Sequence, residues 1–162
     1  MTISTEEFAV PASAVFDVIT DPYSYPNWLV GTLNIRRVSS DWPLTGSYFT
    51  HTVGFGPVRI PDRTTIRAID RPRIVEMLVR ARPAMEAVVR FEVTSSASGC
   101  TLRMHETPIG VFKVMSMFVK PLIRLRNERS LRRLKSMFDA DAQYARSLTH
   151  ERQPTVRRAS GH

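Results

Sequence analysis

Four polar residues fall where period-two alternation places an apolar face: His51, Asp62, Thr64 and Glu106. A charge taken out of water is costly unless it is paired or wetted, so each needs a partner or a ligand. Histidine changes charge near neutral pH, and beside a carboxylate it can take a proton from a bound molecule. His51, Asp62 and Glu106 are therefore the candidate catalytic residues. Two readings stay open. In one, the four hydrogen-bond each other or the backbone. In the other, they line a pocket and orient a carbonyl or hydroxyl group. The candidate ligand-binding set adds Trp28, Phe49, Met77, Phe91 and Met104. Aromatic rings stack on flat ligands or fill cores, and methionines suit adaptable pockets.

Other chemistries lack their residues. There is no Gly-x-Ser-x-Gly, no phosphate-cradling glycine loop and no His-Glu-x-x-His. Of four histidines, His150 and His162 lie at or beyond the end of the last helix, and His105 shares a charged face with Arg103. One cysteine, Cys100, cannot form an intrachain disulfide or a cysteine-rich zinc module. No metal site and no cofactor are expected.

The elements that must carry these residues follow from periodicity. Residues 3–10 read as a strand. Val10 to Thr20 reads as a short helix that tolerates Pro11 at its start. Asp21-Pro22 opens a second, irregular helix with Tyr23, Tyr25, Trp28 and their neighbours. The period then becomes two, with strands expected at 31–39, 46–53, 57–69, 73–82, 84–95 and 100–107. Short Gly, Pro, Asp and Ser connections between them imply an antiparallel meander. Val58, Ile60, Asp62, Thr64, Ile66 and Ala68 are expected on one face, opposite Arg59, Arg63 and Arg67. After Pro108 the period is helical. An amphipathic helix is expected over 122–148, with Pro121 at its first turn or at a kink. Leu131, Leu134, Phe138, Ala145 and Leu148 form its apolar stripe, opposite Arg126, Arg129, Arg132 and Arg133.

The 162 residues are 43% hydrophobic and 23% charged, which fits one globular domain, expected over 1–148. The net charge of +8 is uneven: residues 1–112 carry 11 basic and 11 acidic side chains, and 113–162 carry 12 and 4. The excess suits a solvated helix face or a weak contact of Arg126, Arg129, Arg132 and Arg133 with an anionic surface. No nucleic-acid motif accompanies it, so no specific nucleic-acid partner is expected. Residues 149–162 read as a disordered basic tail. No secretory leader and no run of 18 apolar residues is seen, so a cytoplasmic protein is expected.

Several segments in order carry a resemblance. They are Val10-Pro11-Ala12 leading to Val15-Phe16, Thr20-Asp21-Pro22 with Tyr25-Pro26-Asn27-Trp28, and Trp42-Pro43 before Gly46-Ser47. Further on come Gly54-Phe55-Gly56-Pro57, Leu102 to Glu106, and Arg126-Asn127 before Ser130 to Leu134. Over residues 2–148 the chain resembles the START-like, birch-pollen-allergen-like superfamily in its polyketide cyclase/dehydrase and lipid-transport branch. The resemblance implies an α+β helix-grip fold: a curved antiparallel sheet of about seven strands wrapped on one long C-terminal helix, with two short helices after the first strand. It implies non-catalytic binding or transport of a hydrophobic small molecule, lipid or polyketide-like, in an internal cavity. The alternatives are an aromatase/cyclase-type enzyme using the cavity's acid/base residues, and association of the basic helix with anionic membrane or nucleic acid. One fold hosts many activities, so the site has to decide among them.

Overall fold

Alternating β-branched and charged residues build seven strands. The computed structural model describes residues 1–81, 85–110 and 112–151. The strands are β1 (Thr2–Phe8), β2 (Thr32–Val38), β3 (Tyr48–Phe55), β4 (Val58–Asp70), β5 (Ile74–Ala81), β6 (Met85–Ser96) and β7 (Gly99–Ile109). Each boundary lies within two residues of the range read from alternation. Between β1 and β2 stand α1 (Ala12–Thr20), a 3-10 turn (Pro22–Ser24) and α2 (Tyr25–Trp28). The Asp21 carboxylate accepts from the Tyr23 N–H at 3.0 Å, the cap expected before Pro22. A long helix, α3 (Phe112–Glu151), closes the chain.

The strands form one curved antiparallel sheet in the order β1-β7-β6-β5-β4-β3-β2. β2 to β7 run as a meander, and β1 returns to pair with β7, Thr2 opposite Glu106 and Phe8 opposite Cys100. At that second end the chain needs a glycine. A Cβ on Gly99, at φ +147°, would stand 1.9 Å from the Phe8 carbonyl oxygen.

One face of the sheet is apolar and covered by the helices. Phe49, Ile66, Val75, Met77, Phe91, Leu102 and Met104 from the sheet meet Val15, Phe16 and Ile19 of α1, Trp28 of α2, and Leu131 and Leu134 of α3, all fully buried. The other face is a charged ladder. Arg67 and Arg90 flank Glu76 at 3.6 and 3.9 Å, Arg90 reaches Glu92 at 2.7 Å, and His105 lies 3.5 Å from Glu92.

Three expectations are corrected. First, α3 begins at Phe112, ten residues before the expected start, and Pro121 lies inside it. Its buried face is Ile123, Asn127, Ser130, Leu131 and Leu134, at helical spacing but with two polar members that conceal it from hydrophobic periodicity. Phe138 is half-buried, its ring edge-on to Phe8 at 5.8 Å, while Ala145 is exposed. Second, Arg126 belongs with the buried side rather than the exposed arginines, as the site shows. Third, Ala68 is exposed. A register shift between Ile66 and Ala68 breaks alternation, so Ile69 instead packs on the core. Residues 149–151 are helical; 152–162 of the expected tail, like the Leu148 side chain, lie outside the described residues.

A candidate ligand cavity between sheet and helix

The hairpin β3–β4 sets the first two functional side chains by register alone. His51 is directly opposite Asp62, and Phe49 opposite Thr64. Both positions face inward because they keep the parity of the buried residues around them. Across β4–β5, Thr64 faces Val79 and Ile66 faces Met77. On the far side, Val89 of β6 faces Glu106 of β7. These strands and α3 enclose a cavity of about 80 Å³. Its apolar wall includes Met77, Val79, Val89, Phe91 and Met104; its polar wall includes Thr32, His51, Asp62 and Thr64. Half-exposed Leu29, Val30 and Arg126 also line it.

His51 and Asp62 are buried, 3% and 4% exposed. His51 Nε2 lies 3.4 Å from Asp62 Oδ2, longer than a strong charge-assisted hydrogen bond. Asp62 Oδ1 accepts from the Arg80 N–H at 3.0 Å, which fixes the carboxylate's orientation. Burial holds the imidazole down at about 4. Burial also pushes the Asp62 carboxyl up to about 6, against the opposing pull of the Arg80 and Arg63 backbone N–H groups and the Arg126 charge. At neutral pH the pair is thus a neutral histidine beside a carboxylate. His51 Nδ1 is buried with no hydrogen-bond partner among the described residues.

Glu106 does different work. Its Oε2 accepts from Arg126 Nη2 at 2.6 Å and from Asn127 Nδ2 at 2.8 Å. It therefore ties α3 to β7, while His51 pairs with Asp62. Ser130 adds a second tie: its hydroxyl accepts from the Val30 N–H at 3.0 Å and donates to the Arg126 carbonyl at 2.9 Å.

The sequence-derived set is thus brought together in part. His51, Asp62, Thr64, Met77, Phe91, Met104 and Glu106 line one cavity. Trp28 and Phe49 do not. Trp28 is fully buried, its indole N–H donating to Ser24 Oγ at 3.0 Å. Phe49 is clamped edge-on between Tyr25 and Trp42, each with ring centroids 5.1 Å away. Both rings are core, because flanking aromatics consume the faces a ligand would need. Alternation missed Tyr25, which lines the cavity from α2 and donates its hydroxyl to the Ile19 carbonyl at 2.8 Å. It also missed Arg126, since a helical arginine reads as solvated unless its acidic partner is known. Arg129, Arg132 and Arg133 are exposed and, with Val30 and Ser136, line a shallow depression on the outer side of α3. Among the described residues, no three His, Cys, Asp or Glu side chains gather as a metal site, and no helix is long and apolar enough to cross a membrane.

Comparison with known proteins agrees with the fold. Residues 2–139 match the family described as polyketide cyclase/dehydrase and lipid transport. A search of curated proteins finds no match. Among solved structures, a Rhodobacter sphaeroides protein superposes with a TM-score of 0.69 at 15% identity, covering 85% of this chain and 91% of that one. A Staphylococcus aureus protein of unknown function gives 0.69 at 8% identity, covering 88% and 94%. The di-domain ARO/CYC StfQ of the steffimycin biosynthetic pathway gives 0.69 at 9% identity, covering 88% of this chain and 51% of that one. At such identities the likeness is one of fold.

Proposed function

The chain belongs to the polyketide cyclase/dehydrase and lipid transport family, and from that membership we propose that it binds a hydrophobic small molecule in the cavity between the sheet and α3. One observation carries the reading: a wall of Met77, Val79, Val89, Phe91 and Met104 faces a compact polar patch of His51, Asp62 and Thr64 across open space. Apolar burial supplies affinity at about 25 cal/mol per Å², and the few polar groups set orientation. The size limits the guest. A cavity of about 80 Å³ is small beside the roughly 300–1,000 Å³ of sites that enclose drug-sized ligands. The occupant is a small molecule, or one end of a larger lipid or polyketide-like chain whose remainder passes Leu29, Val30 and Arg126.

Native mass spectrometry of the freshly purified protein tests this. The expected result is an adduct of a small apolar compound, released on denaturation. Absence of any adduct, together with no binding of added toluene, overturns the reading.

One observation favours a second reading, aromatase/cyclase-type chemistry. A neutral imidazole beside a fixed carboxylate can move a proton on a bound carbonyl compound. It predicts that His51→Ala keeps the fold and loses turnover of a poly-ketone substrate; an unchanged rate removes His51 from that role.

A further inference from the structure

The polar wall of the cavity has hydrogen-bonding capacity that the protein does not use. The Asp62 carboxylate is held by the Arg80 N–H on Oδ1 and drawn on by the Arg63 backbone N–H, while its Oδ2 meets His51 Nε2 at a long 3.4 Å. A carboxylate oxygen carries more than one acceptor site, so Oδ2 retains capacity for a shorter, stronger donor. Thr64 is 3% exposed and lines the cavity beside Asp62. His51 Nδ1, on a residue of the same wall, is buried with no hydrogen-bond partner among the described residues; a buried polar group without a partner is costly, and beside a weakly engaged carboxylate it points to a partner that arrives from outside.

The chemistry of that partner follows from the charges. Asp62 is the strongest acceptor on the wall, so the ligand presents a donor. A cationic donor is disfavoured, because the Arg126 guanidinium already lies within electrostatic reach of Asp62. A neutral O–H is the donor that fits, and its oxygen can in turn accept from Thr64 or from His51 Nε2–H. We propose that the cavity selects a neutral hydroxyl compound, whose O–H donates to Asp62 Oδ2 while its apolar body rests on Met77, Phe91 and Met104. This rests on the hydrophobic-ligand reading and narrows it, since a site built to bond a hydroxyl rejects the analogue that lacks one.

Phenol and toluene differ by that group and little else. Both are titrated calorimetrically into the full-length protein and into Thr64→Val, a substitution that exchanges a hydroxyl for a methyl of similar size. His51 ring nitrogen resonances are followed in the wild type. The expected result is phenol binding at least about tenfold tighter than toluene, a shift of the His51 Nε2 resonance with phenol alone, and a severalfold smaller preference in Thr64→Val. Equal affinities, or a phenol preference that leaves the His51 resonances unmoved, overturn the hydroxyl assignment and leave apolar binding standing. Binding of neither compound overturns both. The His51 resonances decide the matter in the wild type even if a variant fails to fold.

Discussion

Arg126 Nη2 of α3 lies 2.6 Å from Glu106 Oε2 of β7, at the wall of the cavity, with Asn127 Nδ2 on the same oxygen at 2.8 Å. One carboxylate therefore fastens the closing helix to the sheet. Glu106→Ala leaves Asn127 and the inner part of Arg126 without their acceptor and is expected to cost about 3 kcal/mol in urea unfolding. Glu128→Ala, which breaks the exposed Arg124–Glu128 pair on the same helix, is expected to cost under about 0.5 kcal/mol. Equal costs would remove the buried clamp from the account.

Burial acts on His51 and Asp62 in opposite senses. Asp62, raised from 3.8 to about 6, holds its proton better folded than unfolded, so its contribution to stability falls as pH rises across that window. His51, lowered from 6.5 to about 4, resists its proton when folded, so its contribution rises with pH over nearly the same window. In the wild type the two slopes offset each other. Relative to wild type, the Tm of Asp62→Asn is expected to climb between pH 4 and 6, and that of His51→Gln to fall over the same range. Thermal melts at half-unit pH steps check this; profiles parallel to wild type would contradict it.

Met77 is 1% exposed and forms part of the cavity wall, with its sulfur 3.4 Å from the Tyr25 hydroxyl. Met77→Ala is expected to lower stability by about 2–5 kcal/mol. Tyr25 keeps its bond to Ile19, so the loss is one of packing. The same change enlarges the cavity, and benzene is expected to bind the variant more tightly than the wild type, read by calorimetry on protein that remains folded. Weaker benzene binding in the variant would place Met77 away from the ligand space.

Leu134 is fully buried at the seam between α3 and the sheet, whereas Leu122 is 65% exposed. Leu134→Ala is expected to cost about 2–5 kcal/mol and Leu122→Ala within about 0.5 kcal/mol. Chemical denaturation of both variants tests whether the helix faces as described.

The sheet was legible because alternation is a short-range signal, and each strand carries several residues of it. Ala68 escaped because a bulge shifts parity without leaving a mark in residue type. α3 reads short because Asn127 and Ser130 occupy buried positions without being apolar, and Leu122 and Leu125, off the later stripe, are exposed members of a helix that runs through Pro121. His51 and Asp62 were found together as misfits on an apolar face. Their pairing was not, because sequence alone does not fix the register between strands. Trp28 and Phe49 were assigned to the ligand because an aromatic reads alike in a core and in a pocket; only neighbours such as Tyr25 and Trp42 separate the two.

The first strand of the chain finds its place beside the last: Thr2 stands opposite Glu106 and Phe8 opposite Cys100. During synthesis β1 therefore leaves the ribosome about a hundred residues ahead of β7, the strand it pairs with, and waits as an unsatisfied edge. Its alternation of Thr, Ser and Glu with few apolar side chains suits that interval, since a polar edge resists adhesion to other nascent chains.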